Sequence, residues 1–276
     1  MRLTRHQTNL SVRWAMDGFF LPPSFTLSAL LELRREAMLQ FLESSPHDEP
    51  ANEQLLAPID PMQEVWAAGV TYLRSRDARR AESQVANVYD RVYDAERPEL
   101  FFKAAGWRVV GPGMPIRIRA DSRWNVPEPE LVLVINRHRE IVGYCAGNDV
   151  SSRDIEGENP LYLPQAKVYN GSCALGHGIV LSEAKAISDV PIRLSIERGG
   201  ATVFAGEATT ATMKRTLSEL AAYLTCELDF PHGVFLMTGT CIVPGDDFTL
   251  QPDDVTQIQV GSLTIKNRVA GLHDCG

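Results

Sequence analysis

The sequence predicts an α+β fold in which strands dominate, and three observations carry that expectation. From Val65 onward, short runs rich in β-branched and aromatic residues recur: VWAAGV, WRVVG, IRIRA, LVLVIN, EIVGYCAG, GIVLS, IRLSIER, ATVFAGE, FTLQ, VTQIQV and LTIKNRV. Gly-, Pro- and Asn-rich turns separate them, as in a β-rich domain. Few segments space their apolar residues as a helix does, and no repeat with a period of roughly 20–50 residues exists, which removes solenoids and propellers.

Taken in order, Pro22 and Pro23 stop any helix upstream, and Thr26–Leu42 reads as one amphipathic helix. Leu27, Leu30, Leu31, Met38, Phe41 and Leu42 form its apolar face. The polar, proline-punctuated SSPHDEPANEQ that follows is a loop, so residues 1–60 are expected to be a small N-terminal domain and residues 61–276 a larger one. Within the larger unit, a charged helix is expected over Tyr72–Tyr93. Another is expected in TMKRTLSELAAYLTCEL, where Leu217, Leu220, Ala221 and Leu224 share a face.

At 276 residues the chain can bury a full core. Its formal charge of −8 argues against a general nucleic-acid surface. MRLTRHQTNLSVRWAMDG lacks the apolar core of a signal peptide, and no stretch approaches the roughly 20 apolar residues of a membrane span. Five scattered cysteines, Cys145, Cys173, Cys226, Cys241 and Cys275, form no C-x-x-C pair. They read as reduced thiols outside any disulfide framework or zinc site. A soluble cytoplasmic protein is the expectation.

The chemistry concentrates in PEPELVLVINRHREIVGYCAGNDVSSRD. Residues i and i+2 of a strand share a face, so Glu128 and Glu130 project side by side, with Pro129 opposite them at a strand edge. Adjacent carboxylates repel, and burying them unpartnered is costly. Either solvent or a cation must keep them together. Asp149 returns after the strand pair LVLVIN and EIVGYCAG, and an all-oxygen set of three acids suits a hard cation: Mg²⁺, with Mn²⁺ and Ca²⁺ as alternatives.

In these features the chain resembles the fumarylacetoacetate hydrolase family from about Val65 to Val269. The shared pattern is E-x-E, then NDVSSRD, then a lysine before a small-residue loop in AKVYNGSCALGHGIV, and a T-G-T turn in LMTGTCIVPG. The resemblance implies a mixed β-roll catalytic domain, homodimers or higher homo-oligomers, and Glu128, Glu130 and Asp149 as ligands of a divalent ion, usually Mg²⁺. It also implies Lys167 beside the metal, binding substrate oxygen or moving protons. Thr240 would contact the substrate carboxylate, with Lys103 and Arg153 near the pocket as further substrate-binding residues. His177 stands where the family usually has proline, and it and the other histidines are expected to be structural or solvated.

A 2-oxo acid can chelate such an ion, which acidifies its C3 protons. Hydrolases of the family keep a water-activating histidine near Tyr72, whereas GVTYLRSRDARRAES has none and offers Glu82 and Asp77 instead. ENPLYLPQAKVYNGSCALG looks most like the branch that dehydrates 2-keto-3-deoxy sugar acids. The resemblance thus implies a Mg²⁺-dependent dehydratase that converts a 2-keto-3-deoxy-pentonate to 2-oxoglutarate semialdehyde, with Lys167, Glu82 or Asp77 taking the C3 proton. The alternatives are a hydrolase of acylpyruvate-like 2,4-dioxo acids and a non-catalytic metal- or ligand-binding relative.

Overall fold

The computed structural model describes residues 1–73 and 91–271. The chain opens with an antiparallel meander, β1 (Arg2–Gln7), β2 (Val12–Met16) and β3 (Phe19–Phe20). Two helices follow, α1 (Leu27–Leu31) and α2 (Arg35–Ser44), where the periodicity predicts one. Leu27, Leu30, Leu31, Met38 and Leu42 are buried as the spacing requires, but Phe41 is largely exposed and stacks on Phe25.

The helix breaks because its carbonyls and amides find better-placed partners outside it. Leu31 O accepts the Arg137 N–H at 2.9 Å, Leu33 O accepts Asn136 Nδ2 at 2.9 Å, and the Arg35 N–H donates to Glu140 Oε2 at 2.8 Å. Arg34 is extended at φ −65°, ψ 152° and restarts the helix. Tertiary hydrogen bonds thus override local propensity.

Beyond β4 (Gln54–Leu56) come β5 (Glu64–Gly69) and β6 (Glu99–Ala105). A short β7 (Asn125–Val126) precedes the long hairpin of β8 (Pro129–Ile135) and β9 (Ile141–Asp149). After β10 (Ser151–Ser152), α3 (Arg153–Glu158) and α4 (Leu163–Lys167), the chain runs through β11 (Cys173–Leu175) and β12 (Ile179–Leu181). It then forms β13 (Pro191–Arg198), β14 (Ala201–Thr209), α5 (Leu217–Leu224), β15 (Val234–Met237), β16 (Val255–Val260) and β17 (Leu263–Arg268).

Eleven of these strands make one sheet, ordered β3-β2-β1-β12-β9-β8-β15-β5-β6, with β11 added on β9 and β4 on β1. The β15–β5 pair is parallel and the others are antiparallel, so the sheet is mixed. β8 lies at its centre with all seven residues buried. That explains the unalternating LVLVI: a strand covered on both faces has no solvent side to decorate with polar residues. The cover on one face is a second, four-stranded sheet, ordered β14-β13-β16-β17. β13 and β16 pack across β8, while β16 and β17 pack across β9. Here alternation is plain, with Ile192, Leu194 and Ile196 of β13 inward and Arg193 and Ser195 between them.

Three expected strands do not form. WRVVG begins as a 3₁₀ turn over Gly106–Arg108. In IRIRA, the Ile116 N–H goes to Arg268 O and the Arg117 N–H to Gly171 O, two unrelated partners, so no ladder propagates. In FTLQ, the Leu250 N–H bonds Asn125 O, while the Gln251 N–H is taken by the Asp254 carboxylate. The helix expected over Tyr72–Tyr93 falls largely outside the described residues. The helix at Leu217–Leu224 is present, and the Thr216 hydroxyl caps it by accepting the Glu219 N–H at 3.1 Å.

β1 precedes residue 60 in the chain, yet it pairs with β12, Arg2 opposite Val180 and Leu3 opposite Ile179. A chain that begins at residue 61 therefore loses the strand that covers the β12 edge, and with it the buried Leu3. Such a chain is expected to aggregate in size-exclusion chromatography and to bind a hydrophobic dye. A soluble, dye-silent, active truncation would contradict this.

Candidate metal centre

The open end of the β8–β9 hairpin gathers the three acids. Glu130 lies opposite Gly147, Pro129 opposite Asn148, and the Asp149 N–H donates to Glu128 O at 3.0 Å. Glu128 and Glu130, two residues apart, share a face as strand periodicity demands. One oxygen from each of Glu128, Glu130 and Asp149 lies within 4.8 Å of the other two. Pro129 is not at a sheet edge as expected. It is the first residue of an internal strand, another position where the missing N–H is tolerated.

The acids are not solvated: Glu128 is 2 % exposed, Glu130 and Asp149 1 % each. Buried carboxylates must be partnered, and three buried cations partner them. Lys167 Nζ donates to Glu128 Oε2 at 2.6 Å and to Asp149 Oδ2 at 2.9 Å. Arg153 Nη2 lies 2.8 Å from Glu128 Oε1. Lys103 Nζ pairs with Asp149 Oδ1 and donates to Val150 O at 3.1 Å and Lys167 O at 2.5 Å. Of the two answers that E-x-E poses, solvent or a cation, the described residues give the second, with the chain's own ammonium and guanidinium groups as cations.

Each cation is delivered by a local device. Lys103 rides on β6, the edge strand. Lys167 ends α4, a single short helix whose first turn holds Pro164, where a missing N–H costs nothing. Ser172 Oγ bonds Lys167 O at 2.8 Å and so fixes that end. Arg153 starts α3, its N–H bound to Trp124 O at 2.7 Å, and the neighbouring Asp154 clasps Ser122 Oγ and the Arg123 N–H. Asp154 of NDVSSRD is thus occupied in holding a loop.

Gly239, after β15, donates its N–H to Glu130 Oε2 at 2.6 Å. Its φ is +96°, and a Cβ there would lie 2.1 Å from Thr71 Oγ1, so only glycine fits. Thr240 is buried beside it, but its hydroxyl is engaged with the main chain of Ile242. Glu130 is the acid least well served by cations. Burial, then the charges of Asp149 and Glu128, hold its carboxyl well above the usual range, against the opposing pull of Lys167 and the Gly239 N–H.

On the Glu130 side stand two residues that the sequence gave no reason to single out, Tyr72 and Cys241. Burial, Cys241 and the Glu130 charge together strengthen the hold of the Tyr72 phenol on its proton. Both residues line a cavity of about 810 Å³, closed elsewhere by the β14 segment Phe204–Ala208 and the loop Val243–Asp246. Asp77 and Glu82 lie outside the described residues. The described histidines are engaged away from the acids: His6 with Thr4 and Glu53 O, His47 with Ser45 O, His138 with Glu32 O, His177 with Thr264, and His232 with Glu32. Cys145, Cys173, Cys226 and Cys241 form no disulfide among the described residues.

The donor set fits a hard divalent cation. It is all oxygen, convergent and buried, no thiol or imidazole belongs to the cluster, and the crowding that raises the Glu130 pKa is what a dication would relieve.

With this geometry, the comparisons with known proteins agree. The family description "Fumarylacetoacetate (FAA) hydrolase C-terminal" matches residues 64–270. The chain belongs to the fumarylacetoacetate hydrolase family. It is 47 % identical over 214 residues, 77 % of this chain and 73 % of the relative, to the "Probable 2-keto-3-deoxyxylonate dehydratase" of Haloferax volcanii. It is 44 % identical over 216 residues, 76 % of this chain and 72 % of the relative, to the 2-dehydro-3-deoxy-D-arabinonate dehydratase of Saccharolobus solfataricus. A solved 2-keto-3-deoxy-D-arabinonate dehydratase complexed with magnesium and 2,5-dioxopentanoate superposes with a TM-score of 0.83 at 34 % identity, covering 98 % of this chain and 99 % of that one. These relatives belong to the branch that ENPLYLPQAKVYNGSCALG points to.

Two measurements probe this centre. Gly239→Ala strains the backbone and pushes on Thr71, so urea unfolding is expected to show a loss of about 1–3 kcal/mol. Glu130→Gln isolates the raised carboxyl. A carboxyl that holds its proton more tightly folded than unfolded stabilises the fold fully below its ordinary value of 4.5, and that contribution is lost as pH climbs through the raised value. In chelator, the stability of the native chain relative to Glu130→Gln should therefore fall as pH rises from 4.5. A pH-independent difference would remove the shift.

Proposed function

We propose that this chain is a Mg²⁺-dependent hydro-lyase that dehydrates 2-keto-3-deoxy sugar acids, a 2-keto-3-deoxy-pentonate giving 2-oxoglutarate semialdehyde (2,5-dioxopentanoate). The observation that carries it is the buried triad of Glu128, Glu130 and Asp149. It stands in a chain 44–47 % identical to two such dehydratases and similar over 98 % of its length to one complexed with magnesium and 2,5-dioxopentanoate.

The three carboxylates would hold the ion. When bound, it supplies Lewis acidity toward the 2-oxo group and so makes the C3 protons easier to remove. Lys167, hydrogen-bonded to Glu128 and Asp149, is a proton carrier that would bind a substrate oxygen or move the C3 proton. Glu82 and Asp77 are the alternative bases. Arg153, Lys103 and Thr240 would line the substrate's end of the site, with Arg153 and Lys103 also fixing Glu128 and Asp149 in place.

The chemistry asks for removal of a C3 proton and departure of the C4 hydroxyl, which takes up a proton and leaves as water. Transfer of a C5 proton to C3 through the dienol then gives the C4=C5 enol, and protonation at C4 with loss of the enol hydroxyl proton gives the aldehyde. The cavity beside Tyr72 and Cys241 would take the polar five-carbon chain on the Glu130 side of the acids. No described helix is long and apolar enough to cross a membrane. The proposal places the enzyme in the cytoplasm as a homodimer or higher homo-oligomer.

The test offers purified protein the two C4-epimeric 2-keto-3-deoxy-pentonates and an acylpyruvate in parallel, with Mg²⁺ and with chelator. A semialdehyde from one pentonate, absent in chelator, is the expected result; fast acylpyruvate cleavage without sugar-acid turnover would make the chain a C–C hydrolase. Glu128→Gln and Asp149→Asn should stay folded with strongly reduced Mg²⁺ affinity. Lys167→Met should lower turnover roughly 10²-fold or more, the scale of a lost proton-transfer group.

A further inference from the structure

Three buried carboxylates face three buried cations: Glu128, Glu130 and Asp149 against Lys103, Lys167 and Arg153. With every group ionised, the set is neutral before any metal arrives. Adding a dication leaves this described set two positive charges in excess among buried side chains, and buried excess charge is costly whichever its sign. Something in the set must yield.

The cations are not held alike. Lys103 is anchored by two carbonyl oxygens, Val150 O and Lys167 O, besides its carboxylate. Arg153 is fixed through its main chain to Trp124 O and lays a rigid, planar guanidinium on Glu128 Oε1. Lys167 Nζ differs: both of its hydrogen bonds go to acids of the triad, Glu128 Oε2 and Asp149 Oδ2. Its Nζ also lies over the face of Phe101, 5.8 Å from the ring centroid. It bridges two prospective ligands much as an ion would, on a flexible four-carbon stem.

We propose that Lys167 is a displaceable resident counter-ion. Its ammonium neutralises Glu128 and Asp149 in the metal-free protein, the divalent ion displaces it, and the freed ammonium then takes an oxygen of the anionic 2-oxo acid. Metal alone binds weakly, since it must evict a lysine and leave a net +2 behind; a monoanionic 2-oxo acid brings the set to +1, so ion and organic anion bind synergistically. Linkage makes the coupling reciprocal. This rests on the triad being a metal site, and the experiment separates the two ideas.

Mn²⁺ binding is measured by calorimetry and electron paramagnetic resonance, with and without pyruvate, a 2-oxo acid with no hydroxyl to lose. The native chain should bind Mn²⁺ weakly alone and more tightly with pyruvate. Lys167→Met should bind Mn²⁺ alone roughly tenfold or more tightly than the native chain, the scale on which groups around a metal act, and should gain less from pyruvate. Lys167→Arg, which keeps the charge, should keep the weak binding. Lys167→Met should also be less heat-stable in chelator and recover with Mn²⁺; a variant that folds only with Mn²⁺ supports the proposal too. Unchanged or weaker Mn²⁺ affinity in Lys167→Met overturns it while leaving the metal site standing, as does a variant that Mn²⁺ cannot fold. No Mn²⁺ binding by the native chain, with or without pyruvate, overturns both.

Discussion

The bond that lets this interior exist is the one from the Lys167 ammonium to Glu128 and Asp149, at 2.6 and 2.9 Å. Three carboxylates brought within 4.8 Å of one another in the middle of a protein repel, and each loses several kcal/mol of hydration. The β8–β9 hairpin can hold them there only because oppositely charged groups arrive from β6, α3 and α4. The strands supply position, and the helical excursion between β10 and β11 supplies charge. That excursion is short, exposed in its middle at Leu161 and Tyr162, and buried again at Lys167. The chain leaves the core and returns to place one ammonium.

The same arrangement divides labour among the acids. Glu128 and Asp149 are compensated by direct ion pairs, whereas Glu130 relies on the Gly239 N–H and on the charge of Lys167. Unequal environments for chemically equal groups are how a protein gives them different proton affinities. The Glu130 side is also where Tyr72 and Cys241 meet the cavity, so the charge of the least compensated acid is felt at a residue of the cavity wall.

What the sequence made legible follows from what is local. The period of two in PEPELVLVIN, the polar turn RHRE and the return to Asp149 make a hairpin whose ends must meet, so spacing brings the three acids together and the family resemblance marks them as a ligand set. The unalternating LVLVI announces a strand covered on both faces. The ion pairs of the acids could not be read from the pattern, because Lys167 reaches Glu128 across 39 residues and Asp149 across 18, and no periodicity records such distances; only the resemblance put Lys167, Lys103 and Arg153 near the site. The single helix expected over Thr26–Leu42 failed for a related reason: its break is made by Asn136, Arg137 and Glu140, more than a hundred residues away. IRIRA has the composition of a strand but no neighbour that offers a continuous edge. The proposed bases Glu82 and Asp77 lie where the structure describes nothing, so they rest on sequence alone.

The hairpin that holds the acids at one end is gripped at the other by the N-terminal helices, through Asn136, Arg137 and Glu140. This gives the turn between Ile135 and Ile141 a task unlike that of an ordinary surface loop. Side chains alternate faces along a strand, so a slip of one residue in β8 against β9 would turn Glu128 and Glu130 toward the opposite side of the sheet, away from Asp149. The Leu31 and Leu33 carbonyls, by accepting from fixed points on the turn, work as a register stop. The length of this distal loop should therefore be among the least negotiable features of the chain: one residue inserted there, far from any reacting atom, would disassemble the centre by shifting a ruler.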